Sequence, residues 1–227
     1  MAVEYDGYHD IGQEFSCTPD RPDLAEAFWA RLINVGKSCR LPDPEAGALH
    51  RAALDVACEL ELLLTRLTAA LARHYAPTWV PEHVFGCEKA SHLQFNHYQP
   101  RSQTRDLLQD PHEDGLYFTL WRADAPGLEV RGPDGAWQPV RLGPRELLAM
   151  PGEIFSLLCG WRVPPLYHLV RNHPEIERRF SMMYFSNPNP DRKLRPWIEN
   201  AANAGVDIIQ RAITNPTRYG LPPLPPV

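Results

Sequence analysis

The 227-residue sequence predicts a mainly β domain with flanking helices. Three observations carry this expectation. From His92 onward, apolar residues recur at every second position in short runs, the period of a half-buried strand. Turn signals such as Gly132-Pro133-Asp134-Gly135 separate those runs, as in a sandwich or barrel. Upstream, one long stretch repeats at three- and four-residue steps, the period of a helix. A single domain is the simplest organisation at this length. Residues 1–90 read as mostly helical support, 91–187 as the strand-rich core and 188–227 as a C-terminal helix with a Pro-rich tail.

Taken in order, Asp23 to Ile33 reads as a helix with Leu24, Ala27, Phe28, Arg31 and Leu32 on one face. Asp43-Pro44-Glu45 then supplies a capping oxygen, a proline suited to the first helical position and an acid at the positive dipole end. The helix that follows carries an apolar stripe of Leu49, Ala52, Ala53, Val56, Leu60, Leu63, Leu64, Leu67 and Leu71 and stops before Pro77. Its stripe is expected to pack on the outer face of a sheet. Strands are expected at His92 to Tyr98, Gly115 to Arg122, Leu128 to Arg131, Trp137 to Val140, Glu146 to Ala149, Ile154 to Cys159, Tyr167 to Arg171 and Phe180 to Phe185. Another helix is expected from Trp197 to Ile213, with Ile198, Ala202, Val206, Ile209 and Ile213 on one side. The prolines between Tyr219 and Val227 exclude regular helix or central strand and read as a disordered tail.

With 23 basic against 28 acidic residues, a formal charge of −5 and no run of Lys or Arg, nucleic acid and acidic membrane surfaces are poor partners. A small-molecule partner fits better. Cys17, Cys39, Cys58, Cys87 and Cys159 form no Cys-x-x-Cys and are odd in number, which predicts reduced packing thiols in a cytoplasmic setting. The first residues lack the basic and apolar parts of an export signal. The most apolar helical stretch carries Asp55, Glu59, Glu61 and Arg66, which excludes it as a membrane span.

The chemistry concentrates in Pro111-His112-Glu113-Asp114-Gly115, at the mouth of a buried run. In extended backbone the side chains at i and i+2 share a face, so His112 and Asp114 can offer an imidazole nitrogen and a carboxylate oxygen to one ion, while Glu113 points away. His168, in an otherwise apolar run, is the best third ligand. Two His and one carboxylate leave coordination positions open for chemistry, as in non-haem iron oxygenases. Arg179 and Ser181 share another strand face and form a clamp for a carboxylate, a permanently charged fork with a hydroxyl beside it.

These residues carry a resemblance. His112, Asp114, a Thr seven residues after the His (Thr119), Gly127-Leu128-Glu129-Val130, the distal His168 and Arg179-x-Ser181 follow in the order of the Fe(II)/2-oxoglutarate-dependent dioxygenase superfamily, and within it the isopenicillin N synthase-like group. Upstream, Asn96-His97-Tyr98-Gln99-Pro100 is similar to the group's Asn-x-Tyr-Pro strand, with one residue inserted before the Pro. The resemblance implies a double-stranded β-helix, or jelly roll. It also gives the expectation that the family's N-terminal portion is absent and that the chain starts part-way through the usual plan.

The resemblance further implies Fe(II) on His112, Asp114 and His168, and 2-oxoglutarate held by Arg179 and Ser181 with help from Tyr98 and Asn96. The implied reaction uses O2 to oxidise a C–H bond of a small molecule and releases succinate and CO2. Hydroxylation is the default outcome, with desaturation or cyclisation as variants. Halogenating relatives replace the carboxylate ligand, and Asp114 argues against that branch. Trp121 and Trp161 are expected in the pocket wall, and the C-terminal region as a cover for the iron. Alternatives are a 2-oxoglutarate-independent iron oxidase of the same group, a non-catalytic jelly-roll ligand-binding protein and a zinc hydrolase on the same three ligands. The state of assembly is open, a homo-oligomer included.

Overall fold

The computed structural model describes residues 6–35, 41, 43–75, 90–190 and 193–219. Strands β1 (Gly7–His9), β2 (Ala25–Arg31), β3 (His92–Tyr98), β5 (Phe118–Ala123), β8 (Leu148–Pro151) and β10 (Arg179–Ser186) build one sheet in the order β1-β2-β3-β10-β5-β8. Strands β4 (Leu107–His112), β6 (Leu128–Arg131), β7 (Trp137–Pro139) and β9 (His168–Arg171) build the other in the order β4-β9-β6-β7. All pairings are antiparallel. The sheets face each other across a core of Tyr98, Leu108, Trp121, Leu128, Met150, Val170 and Met183, contributed by both. This is the expected jelly-roll architecture.

Period-two alternation decides what each strand presents. On β3, Leu93 and Phe95 face outward into the helical layer while Gln94, Asn96 and Tyr98 face the opposing sheet. On β10, Met182 and Tyr184 face outward, and Ser181, Met183 and Phe185 face inward. The outer face is covered by helix α1 (Pro44–Tyr75), whose first turn is capped by Asp43 accepting from the Glu45 amide at 2.9 Å.

The buried side of α1 is Gly47, His50, Ala53, Leu54, Ala57, Leu60, Leu64, Thr68 and Ala72. The expected stripe is therefore rotated: Leu49, Val56 and Leu63 are 40–46% exposed, while Leu60 and Leu64 hold. Two polar residues fix the actual face. His50 pairs with Asp6 at 2.7 Å and Thr68 meets the Tyr117 hydroxyl at 2.9 Å, so polar groups invisible to an apolar count lie on the buried side.

Three other expectations are corrected. Asp23 to Ile33 is strand β2 followed by a 3-10 turn at Leu32–Asn34, because Ala25 to Arg31 finds a full antiparallel partner in β3. Long-range pairing overrides a weak helical period. Ile154 to Cys159 is covered by helix α2 (Glu153–Leu158), buried on every side, where a short apolar run carries no period to read. The expected helix from Trp197 shrinks to α3 (Ile208–Thr214), capped by Asp207 accepting from the Gln210 amide at 3.0 Å. Between them, Asn200 and Asn203 side chains bond backbone groups and hold turns instead. Elsewhere the expected strands appear, with ends shifted by up to three residues, and β6–β7 is a hairpin closed over Gly132 to Gly135. Residues 1–90 supply β1 and β2 as well as α1.

Cys17, Cys58 and Cys159 are in no disulfide; Cys39 and Cys87, Pro77 and the residues after Tyr219 lie outside the described residues. Among the described residues no helix is long and apolar enough to cross a membrane.

Helix α2 does more than fill the core, because its N-terminus grips the segment after β4. The Gly152, Glu153 and Ile154 amides donate to the carbonyls of Tyr117, Asp114 and Leu116 at 3.0–3.1 Å. On the other side, Asn215 donates to the Gly115 carbonyl and Arg218 pairs with buried Glu113 at 3.0 Å. Asp114 is thus held through backbone on both flanks.

Two outcomes follow from the packing. Leu64→Ala, at a position 1% exposed, should lower stability by about 2–5 kcal/mol in urea unfolding. A methyl group at Gly152 would overlap the carbonyl oxygens of Leu116 and Asp114, so Gly152→Ala should displace that segment and weaken metal binding at least tenfold in calorimetric titration.

Candidate metal centre and anion socket

The register of β4 against β9 sets His112 directly opposite His168. Irregularities in the ladder at Leu107/Gln109 and Gln109/His112 turn the end of β4, a common way to re-aim a side chain. The rings lie 4.2 Å apart between centroids. Asp114 sits two residues past the strand, not within it, yet its Oδ1 is 3.7 Å from His112 Nε2 and 3.8 Å from His168 Nε2. All three ligand atoms fall within 4.8 Å of one another, a spacing one ion can bridge with bonds of about 2.1 Å.

The surroundings prepare each donor. His112 Nδ1 faces the Asp110 carbonyl at 2.8 Å and His168 Nδ1 the Leu166 carbonyl at 3.1 Å. A carbonyl only accepts, so each Nδ1 carries the proton and each Nε2 keeps its lone pair toward the centre. Burial, then the neighbouring His112, pulls the His168 pKa down to about 4, which keeps this imidazole neutral. Thr119, inward-facing on β5, donates to Asp114 Oδ2 and leaves Oδ1 for a metal.

The second cluster lies on the inner face of β3 and β10, where Arg179 is opposite Tyr98 and Ser181 opposite Asn96. Arg179 is 1% exposed. Its Nε donates to the Pro126 carbonyl at 3.0 Å, and its guanidinium carbon stands 4.9 Å from the Tyr98 ring centre and 5.7 Å from that of Trp121. Gly127 makes this approach feasible: at φ +134° it presses on Arg179 Nε and the Arg171 carbonyl, where a side chain would intrude. Both terminal guanidinium nitrogens and the Ser181 hydroxyl are buried with no well-formed hydrogen bond among the described residues, and the Tyr98 hydroxyl is the polar group beside them. Burial lowers the Arg179 pKa and raises that of Tyr98. A buried fork of this kind can take an anion.

A cleft of about 1050 Å³, its mouth included, runs past the metal ligands. Asn96, Thr119, Trp121, Met150 and Met183 line it beside the three ligands. Trp121 is a wall residue as expected. Trp161 is not: it is 40% exposed, at φ +61° in the turn after α2. Pro216, just after α3, also lines the cleft.

The structure brings the three ligand candidates into one cluster and the four anion-socket candidates into another. Glu14, Gln94 and Trp29, which the sequence did not single out, line the cleft beside the ligands. Gln94 had a signal, since it shares the alternation of Asn96 and Tyr98. Nothing in the local sequence marks Glu14. Its carboxylate accepts from Trp29 Nε1 at 3.1 Å and Gln94 Nε2 at 3.0 Å, and burial pushes its pKa up to about 7.

No family model matches the chain. A 2-oxoglutarate-dependent dioxygenase of Gibberella zeae is 30% identical over 212 residues, which cover 87% of this chain and 62% of that protein. The chain thus spans less than two thirds of the length of this relative. Among solved structures, a full-length Neurospora crassa protein crystallised in complex with alpha-KG superposes with a TM-score of 0.73 at 16% identity, over 93% of this chain and 75% of that one. An oxygenase of the 2OG-Fe(II) family from Caulobacter crescentus gives 0.68 at 20% identity, over 92% and 75%. At such identities the structures speak for the fold, and the sequence relative carries the rest. Fold, sequence likeness and the clustered His112, Asp114 and His168 agree, and the chain is similar in all three to the Fe(II)/2-oxoglutarate-dependent dioxygenases.

Proposed function

We propose that the chain is an oxygenase of the isopenicillin N synthase-like group that oxidises a C–H bond of a small molecule, with Fe(II) on His112, Asp114 and His168 and 2-oxoglutarate in the Arg179 socket. The observation that carries this reading is the buried guanidinium of Arg179, which forms no ion pair among the described residues and has only the Tyr98 hydroxyl to meet its terminal nitrogens. Desolvating a cation is costly unless an anion meets it, and a dicarboxylate brings one. A zinc hydrolase on the same three ligands leaves this socket without a purpose.

When bound, the iron and 2-oxoglutarate together would use O2 to oxidise a C–H bond, one oxygen atom going to the substrate in a hydroxylation and the other to succinate, with loss of CO2. The chain's part is positioning and exclusion of water. The two imidazoles present Nε2 lone pairs, fixed by the carbonyls behind them. Asp114 offers a single oxygen because Thr119 holds the other. Arg179 and Ser181 bind the far carboxylate of 2-oxoglutarate, with the Tyr98 hydroxyl beside them and Asn96 between the socket and the cleft. Trp121, Leu128, Met150 and Met183 make the walls apolar next to the reacting C–H bond. Hydroxylation is the default outcome of such a site.

Anaerobic addition of Fe(II) and then 2-oxoglutarate should produce a visible charge-transfer absorption. That band should vanish in His168→Ala, and in Arg179→Ala it should need at least tenfold more 2-oxoglutarate. Iron binding with no band on adding 2-oxoglutarate would favour an oxidase in which Arg179 and Ser181 hold a substrate carboxylate.

A further inference from the structure

A line of hydrogen bonds runs along the inner face of β3 from Glu14 to the anion socket. Gln94 Nε2 donates to Glu14 Oε2 at 3.0 Å and to Asn96 Oδ1 at 2.8 Å. Asn96 Nδ2 donates in turn to the Tyr98 hydroxyl oxygen at 3.1 Å. Gln94, Asn96 and Tyr98 are at most 4% exposed, so their side chains are packed against these partners.

The direction of the line is dictated from its Glu14 end. An ionised carboxylate has acceptors only, so Gln94 must turn its NH2 toward it. The second hydrogen of that NH2 goes to Asn96, which must therefore present its oxygen to Gln94 and its own NH2 to Tyr98. With its oxygen already accepting, Tyr98 keeps its proton for another acceptor. Opposite Tyr98 across the β3–β10 pairing stands Arg179, and one inward-facing pair along stands Ser181.

We infer that Glu14 is a positioning residue for 2-oxoglutarate: through Gln94 and Asn96 it orients the Tyr98 hydroxyl so that its proton is donated to the carboxylate in the socket. This rests on the cofactor reading above and deepens it. Trp29 Nε1, which donates to Glu14 Oε1 at 3.1 Å, holds the carboxylate in place and ties it to β2. If residue 14 could donate, the line would reverse: Gln94 would turn its oxygen to residue 14, Asn96 its oxygen to Tyr98, and the Tyr98 proton would leave the socket.

The test is the affinity of the Fe(II)-loaded protein for 2-oxoglutarate, read anaerobically from the charge-transfer band at pH 8, above the value of about 7 to which burial pushes Glu14. Glu14→Gln keeps the shape and permits reversal, and should raise the Kd about tenfold, as expected for one lost hydrogen bond to a charged group. Tyr98→Phe should raise it by a similar factor. In the double variant the effects should not add, since without the hydroxyl there is nothing left to orient. Gln94→Met, which severs Glu14 from Asn96 and leaves the socket residues in place, serves should Glu14→Gln not fold; it should raise the Kd in wild type and leave it unchanged in Tyr98→Phe. Wild-type affinity in folded Glu14→Gln, or effects that multiply in the double variant, overturn the inference. Absence of any band in the wild-type protein overturns the cofactor reading itself, a separate result.

Discussion

The pairing of β4 with β9 is the constraint on which the site depends. It places two histidines from distant parts of the chain side by side, and a slip of one residue would send one of them to the other face of the sheet. Sheet register alone cannot deliver the third ligand, because Asp114 lies beyond the end of β4. That residue is instead fixed through its own carbonyl and its chain neighbours: the amides of α2 on one side, and the side chains of Asn215 and Arg218 on the other. The metal centre is thus set by two independent devices, a ladder and a helix terminus, which meet at one carboxylate.

The anion socket follows a different logic. Around Arg179 the protein gathers one carbonyl, two aromatic faces and a glycine that leaves room, and none of these is an anion. Such partners soften the cost of burying a cation without cancelling it. On the proposed reading a bound carboxylate would complete the compensation, so affinity for the ligand and stability of the fold would be linked through this residue. The same burial that makes the position costly strengthens the charge-assisted bonds made there.

Much of this was legible in the sequence, for reasons that particular residues make clear. His112, Asp114, His168, Arg179 and Ser181 announce themselves because charged or titratable side chains interrupt apolar, period-two runs. Asn96 and Tyr98 became readable through their resemblance to a known strand. β2 was misread because its pattern, Ala25-Glu26-Ala27-Phe28-Trp29-Ala30-Arg31, serves a helix almost as well as a strand, and its partner β3 lies far along the chain. α2 was misread because a short helix buried all round has no polar face to reveal its period. The true face of α1 was hidden by His50 and Thr68, whose burial depends on Asp6 and Tyr117 from elsewhere in the chain. Glu14 could not be found at all, since its role exists only once β3 has brought Gln94 beside it.

The alternation of β3 and β10 also explains why scaffold and site share one register. Leu93 and Phe95 on β3, and Met182 and Tyr184 on β10, pack outward with the helical layer, while their neighbours in sequence carry the chemistry inward. Any shift that spoiled the site would therefore also expose the residues that anchor α1, and the energy of that packing defends the geometry of Gln94, Asn96, Tyr98, Arg179 and Ser181. Part of the positioning is thus a by-product of burying the opposite face of the same two strands.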